Sequence, residues 1–215
     1  MIVAIDGPAA SGKSSVARKL ADRLGFDYVN SGSFYRAITW EVLRQGIDPG
    51  NPAAVAKAVE KVEFVCGISP DGESYVRTAS DVSDEALRDE SINRHVSAVS
   101  AVAEVRDLIS SKLRDIAENR PVVMEGRDIG TAVFPATPYK FYLDASPEIR
   151  QQRRSAQGQN DQIAARDRMD SSRQAAPLAK AADARVVDTS HLTLDGVVEA
   201  ILEILKSSGF TPPAR

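Results

Sequence analysis

The sequence predicts an α/β protein: a mostly parallel five-stranded sheet flanked by helices on both faces. Three observations carry that expectation. Short apolar runs alternate with amphipathic stretches along most of the chain, the pattern of strands joined by helical crossovers. The first run, Ile2-Val3-Ala4-Ile5, leads through a glycine-bearing loop directly into an amphipathic stretch. And 215 residues, 43% hydrophobic and 27% charged, describe one ordinary domain with a sizeable core and room for small insertions.

Taken in order, the strand candidates are Val3–Asp6, Asp27–Val29, Val122–Glu125, Lys140–Leu143 and Arg185–Val187. Helices are expected between them, the first over Ser14–Leu24 and the last over Leu194–Leu205. Two segments break the alternation. Val62–Val82 holds short β-like runs around the turn Ser69-Pro70-Asp71-Gly72, and reads as a small antiparallel insertion outside the main sheet. Helical stretches from about Asp84 to Glu118 return the chain to the core. Arg150–Arg173 is dense in arginine and poor in apolar residues, and reads as a helical flap. The expected division is a core at about 1–60, 119–149 and 174–207, an insertion at about 61–118, a lid at about 150–173, and a frayed tail at 208–215.

Composition excludes several function classes. A net charge of −3 gives no global attraction to nucleic acid or an anionic membrane. Basic patches with interleaved aromatics are absent, so no nucleic-acid partner is expected. No apolar run approaches a membrane span, and the first residues enter a strand at once, leaving no room for a signal peptide. A cytoplasmic location is therefore expected. Cys66 is the single cysteine, which rules out an intrachain disulfide; its setting predicts a partly buried strand thiol, not a nucleophile. His95 and His191 fit no metal or nucleophile pattern and are expected on helix surfaces. Phe34 and Trp40 are expected in the core.

The most informative stretch is Gly7-Pro8-Ala9-Ala10-Ser11-Gly12-Lys13-Ser14, followed by Ser15. It fits G-x-x-x-x-G-K-[ST] between a strand and a helix, the setting of a phosphate-binding loop and of the P-loop NTPase fold. Two glycines allow backbone N–H groups to face one point, and the helix adds its positive end there. Lys13 can reach the outer phosphates of ATP, and the Ser14 hydroxyl can ligate Mg²⁺.

Other constellations lie at strand ends. Ser31, after the second strand, is a candidate N-cap. Arg36, about a turn inside that helix, either grips an anion with its bidentate fork or is simply a surface charge. Glu125, Arg127 and Asp128 begin where the third predicted strand ends, where ligands bind in open α/β sheets. Glu125 could then sit near the Mg²⁺ hydration shell. Arg150, Arg153 and Arg154 share one helical face, with Glu148 the nearest carboxylate. Arg166, Asp170 and Arg173 share another face, as a ladder of surface ion pairs or as part of a site. An insertion and an arginine-rich flap around a phosphate loop suggest a small-molecule kinase whose flap closes over the nucleotide.

Jointly these motifs resemble the bacterial cytidylate kinases. The resemblance rests on Gly7–Ser14, Ser31-Gly32-x-x-Tyr35-Arg36-Ala37, Glu125-Gly126-Arg127-Asp128-Ile129-Gly130-Thr131-Ala132-Val133-Phe134-Pro135, Arg166-Asp167-x-x-Asp170-Ser171-Ser172-Arg173-x-x-Ala176-Pro177-Leu178 and Asp188-Thr189-Ser190, and runs from about residue 2 to 206. It implies transfer of the ATP γ-phosphoryl group to CMP or dCMP, with Mg²⁺, by a monomer. It implies that the insertion binds the nucleoside monophosphate. Arg36, Arg127 and Arg173 would hold the acceptor phosphate. Ser97, Arg106 and Asp128 would read the cytosine edge. Arg166 and Asp170 would hold the sugar hydroxyls, and Ser31 and Tyr35 would line the pocket. Arg153 and Arg154 would act from the lid, alongside Lys13 and Arg127, on the group in transit. A kinase for another acceptor, such as UMP, is the alternative. Two departures stand out. Asn30 replaces the family's usual Asp and removes a charge near the acceptor or metal. The stretch from Arg154 to Arg166 is short for the family.

Overall fold

The computed structural model describes residues 1–78, 82–83, 85–156, 158 and 163–213. The parts of the expected insertion at 79–81 and 84, of the flap at 157 and 159–162, and of the tail at 214–215 lie outside the described residues. The strands are β1 (Ile2–Asp6), β2 (Asp27–Asn30), β3 (Phe64–Ile68), β4 (Ser74–Thr78), β5 (Val122–Gly126), β6 (Tyr139–Asp144) and β7 (Arg185–Asp188). The helices are α1 (Lys13–Leu24), α2 (Ser31–Arg44), α3 (Pro52–Val59), α4 (Glu90–Val99), α5 (Ala103–Ala117), α6 (Pro147–Ala156), α7 (Ile163–Ser171) and α8 (Leu194–Ser207).

Five strands form one parallel sheet in the order β2-β5-β1-β6-β7. All five predicted strands are present, each extended by one or two residues. The register aligns Asp6 with Gly126 and Tyr142, and Asn30 with Glu125, so β1, β2 and β5 finish within one residue of one another and β6 runs two residues further. That shared edge is where the polar residues accumulate. β3 and β4 pair antiparallel as a separate hairpin over the predicted turn, and Cys66 lies there half-buried.

Strand alternation divides the core into two layers. Val3 and Ile5 of β1 and Val123 of β5 face α1 and α8, packing with Val16, Leu20, Val198 and Ile201. Ala4, Val122 and Met124 face the other side, with Phe34 and Ile38 of α2 and Ile109 and Leu113 of α5. Phe34 is fully buried and Trp40 packs partly buried against the same layer.

Local signals explain the element ends. Asn51 caps α3 by accepting from Ala54 N at 3.1 Å, with Pro52 at the first helical position. α2 corrects one expectation. Its N-cap position is Asn30, and Ser31 is already helical, its hydroxyl turned to donate to the Glu125 carbonyl at 2.8 Å. His95 is on α4, but His191 lies in the turn between β7 and α8, not on a helix. Among the described residues no helix is long and apolar enough to cross a membrane.

Candidate active site

The loop between β1 and α1 is built by its glycines. Gly7 has φ 152°, and a Cβ there would meet the Leu143 carbonyl oxygen at 2.1 Å, so only glycine fits against β6. Gly12 (φ 89°) occupies the N-cap of α1, and no side chain caps that helix. The first N–H groups of α1 thus stay open to an anion, with the helix dipole behind them. Lys13 Nζ donates to the Pro8 carbonyl at 2.6 Å and to Ser11 Oγ at 3.4 Å. Burial, with the Arg127 guanidinium adding to it, pushes the Lys13 ammonium down to about 7. The loop holds a cation short of counter-charge, which a polyphosphate would supply.

Beside it, Ser14 Oγ donates to Glu125 Oε1 at 2.6 Å, and the buried Tyr28 hydroxyl donates to the same oxygen at 3.3 Å. Among the described residues no cluster of three or more His, Cys, Asp or Glu side chains could cage a metal. One hydroxyl with one carboxylate behind it fits Mg²⁺, which keeps much of its water and takes phosphate oxygens as ligands.

A cavity of about 580 Å³ joins this loop to the far wall of the cleft. Ala9 to Ser15 line one side; Ser31, Tyr35, Arg36, Ser97, Arg127, Asp128, Asp170 and Arg173 line the other. Asp170 is the hub of that wall. Its carboxylate accepts from Arg127 Nε at 2.9 Å, from Ser97 Oγ at 2.9 Å and from Arg173 Nη2. Burial works against its charge, but Arg127 and Arg173 outweigh it and hold the Asp170 carboxyl below the usual range. Arg173 also donates to Ser100 Oγ at 2.8 Å, and Arg127 reaches across to the Gly7 carbonyl at 3.1 Å. Arg36 has a buried Nε with no hydrogen-bond partner among the described residues. Burial and the Arg166 and Arg127 guanidiniums push Arg36 down to about 9. Arg106 lies behind the cavity wall, ion-paired to Asp128, donating to the Ser100 carbonyl at 3.1 Å and stacked over Tyr35 at 5.4 Å. The Tyr35 hydroxyl is buried without a partner among the described residues, and burial raises it.

The arginine-rich segment closes the third side. Arg153, Arg154 and Arg166 line the cavity. Arg153 donates to Thr189 Oγ1 at 2.9 Å and to the Thr189 carbonyl at 2.6 Å. The expectation that Glu148 is the nearest counter-ion of the α6 arginines is corrected. α6 and α7 fold together, so Arg150 pairs with Asp167, far off in sequence, and donates to the Ala9 carbonyl at 3.1 Å. The Ala9 N–H donates in turn to Asp167 at 3.0 Å, so this pair grips both backbone groups of one loop residue.

Most sequence-predicted residues therefore meet around one cavity. Gly7 and Pro8 contribute carbonyls beneath it, and Arg106 lies behind its wall, paired to Asp128. Other polar residues hold this geometry without a role expected from the sequence. Asp6, at the end of β1, accepts from the Ile129 and Gly130 N–H groups at 2.8 and 2.7 Å, fixing the segment that carries Arg127 and Asp128. Burial, partly offset by those two bonds, pushes its carboxyl up to about 6. Tyr28, Ser100, Asp167 and Thr189 are others; Asp167 and Thr189 stand in the quoted motifs with no role attached. No spacing could reveal Asp6, because its partners are backbone amides of a distant loop.

A family model described as cytidylate kinase matches residues 3–207. The cytidylate kinase of Nocardia farcinica is 46% identical over 227 aligned positions, spanning 100% of this chain and 97% of that one. That of Streptomyces griseus is 43% identical over 215 positions, with 96% and 93% covered. That of Shouchella clausii is 41% identical over 215 positions, with 95% of each covered. Matches of this extent, on a site with a phosphate loop facing a wall of arginines, place the chain in the cytidylate kinase family.

Proposed function

We propose that the protein moves the γ-phosphoryl group of ATP to CMP or dCMP, giving ADP and CDP or dCDP. The carrying observation is one cavity with Lys13 on its loop side and Arg36, Arg127 and Arg173 on the other. An oxygen of the acceptor phosphate attacks the γ-phosphorus; the bond to the bridging β,γ-oxygen breaks, and ADP leaves with that electron pair. The nucleophile is already an anion, so no general base is needed. Catalysis comes from positioning and charge stabilisation.

In this reading the loop from Gly7 to Ser15 cradles the donor phosphates, and Lys13, Arg127, Arg153 and Arg154 face the group in transit. Arg36, Arg127 and Arg173 hold the acceptor phosphate, while Arg166 and Asp170 face the sugar. Asp128 accepts from cytosine N4, and Arg106 and Ser97 donate to the ring acceptors; uracil would set O4 against the Asp128 carboxylate. The residue 61–118 insertion and the 150–173 lid bracket the two substrates. Mg²⁺ would be held by Ser14, with Glu125 behind it, and when bound it neutralises charge on the phosphate oxygens. A monomeric state and a cytoplasmic location go with this reading.

A coupled ADP-release assay against CMP, dCMP, UMP and AMP tests it. Turnover with CMP or dCMP well above UMP and AMP is expected. Release with UMP alone, or with no acceptor, overturns it.

A further inference from the structure

We infer that Thr189 is a positioning residue for the reaction, holding Arg153 over the phosphate loop from the turn between β7 and α8. The inference rests on the proposed role of Arg153 at the donor phosphates. Thr189 is 2% exposed and lines the cavity. Its hydroxyl donates to the Ser11 carbonyl at 3.0 Å while accepting from Arg153 Nη1 at 2.9 Å. Its carbonyl accepts from Arg153 Nη2 at 2.6 Å. One buried residue thus engages both terminal nitrogens of the guanidinium and ties them to the loop. The result places Arg153 Nη1 3.7 Å from where a Cβ on Gly12 would stand, above the last glycine before Lys13.

The turn is itself fixed. Thr189 N donates to the Asp144 carbonyl at 2.8 Å, and Ser190 N to Asp188 Oδ1 at 2.8 Å. Ser190 Oγ accepts from Ser146 N at 2.9 Å, directly before α6. The Ser146 hydroxyl accepts from Ile149 N at 3.3 Å inside the first turn of that helix. Asp188-Thr189-Ser190 therefore holds α6 at its start and again at Arg153, two turns further on. A guanidinium on a long, rotamer-rich side chain is aimed before the substrate arrives, and a misplacement of about 1 Å can cost about 100-fold in rate.

The test compares Thr189→Val, which keeps the shape and removes the hydroxyl, with Thr189→Ser, Arg153→Ala and the Thr189→Val/Arg153→Ala pair. Steady-state kcat, both KM values and the melting temperature are measured for each. Thr189→Val is expected to lower kcat about 10-fold with KM for CMP within about 2-fold, and Thr189→Ser to stay within about 3-fold of the parent in kcat. In the Arg153→Ala background, Thr189→Val should cost less than about 2-fold more, because its effect passes through Arg153. Multiplying losses in the double variant, or an equal kcat loss in Thr189→Ser, would show a merely structural role and overturn the inference. Parental kcat in Thr189→Val beside a deficient Arg153→Ala overturns the positioning alone. Parental kcat in Arg153→Ala overturns the lid reading and this inference with it.

Discussion

The two sides of the cleft are made in opposite ways. The floor of the donor side is one uninterrupted stretch, Gly7 to Ser15, which offers backbone N–H groups, one ammonium and a helix end, with Arg153 above it. The acceptor side is collected from α2, α4, α5, the end of β5 and α7. There most charges are paired, Asp170 with Arg127 and Arg173, and Asp128 with Arg106, while Arg36 is pushed down by burial and the neighbouring guanidiniums. The contiguous side leaves its one ammonium partly unanswered, whereas the dispersed side supplies buried counter-ions for three of its guanidiniums. Damage to the first should therefore appear in rate alone, and damage to the second in both rate and stability.

The largest effect is expected on the acceptor side. Asp170→Ala leaves two largely buried guanidiniums without their carboxylate and should destabilise by about 3–5 kcal/mol, with a raised KM for CMP. A melting temperature equal to the parent's would break the comparison. On the donor side, Lys13→Ala should lower kcat by about 100–1000-fold, because a cation aimed at developing phosphate charge is lost. Its melting temperature should be unchanged or higher, since a desolvated charge is removed. Rate loss accompanied by an equal stability loss would erase the distinction. Asp128→Asn should shift the CMP-to-UMP ratio of kcat/KM by about 1–3 kcal/mol, as the charge set against uracil O4 disappears; an unchanged ratio means that Asp128 does not read the base.

A pH experiment sharpens the donor side. With Lys13 lowered to about 7, the free protein at pH 8 carries it mostly neutral, and arriving phosphates restore the charge. ATP binding should then take up close to one proton, read by calorimetry in buffers of different ionisation heat, and the uptake should vanish at pH 6 and in Lys13→Met. Stability follows the same group. The unfolded chain keeps this proton up to the ordinary 10.5, so the Lys13 contribution makes the fold more stable as pH rises from about 7 to 10.5. The smallest effect is expected away from the cleft. Arg23→Ala removes a half-exposed pair with Glu199 between α1 and α8 and should change stability by no more than about 0.5 kcal/mol.

The same contrast governs what could be read from the chain. The phosphate loop was legible because all its parts are neighbours, and the strands because each is a short apolar run. The Asp170–Arg173 pair was legible as an i, i+3 spacing, although its depth was not: the ladder could equally have been a solvated face, and Asp170 is 2% exposed. The Arg150–Asp167 pair was not legible, and Glu148 was only the nearest candidate carboxylate, because helical spacing sees only one helix and α7 packs back on α6. The N-cap of α2 was displaced by one residue because the Ser31 hydroxyl found a partner across the sheet instead of in its own helix.

The strand order carries a consequence for synthesis. β1 has both its neighbours, β5 and β6, in residues 122–144, so it has no partner in its sheet until the chain has been made at least as far as Val122. At about 5–20 residues per second, this is a wait of roughly 6–30 s on the ribosome. During that interval Ile2–Asp6 is an unpaired apolar edge, and the loop behind it has no wall to rest on. The stretch that is easiest to read in the sequence waits for strands made much later to complete its surroundings.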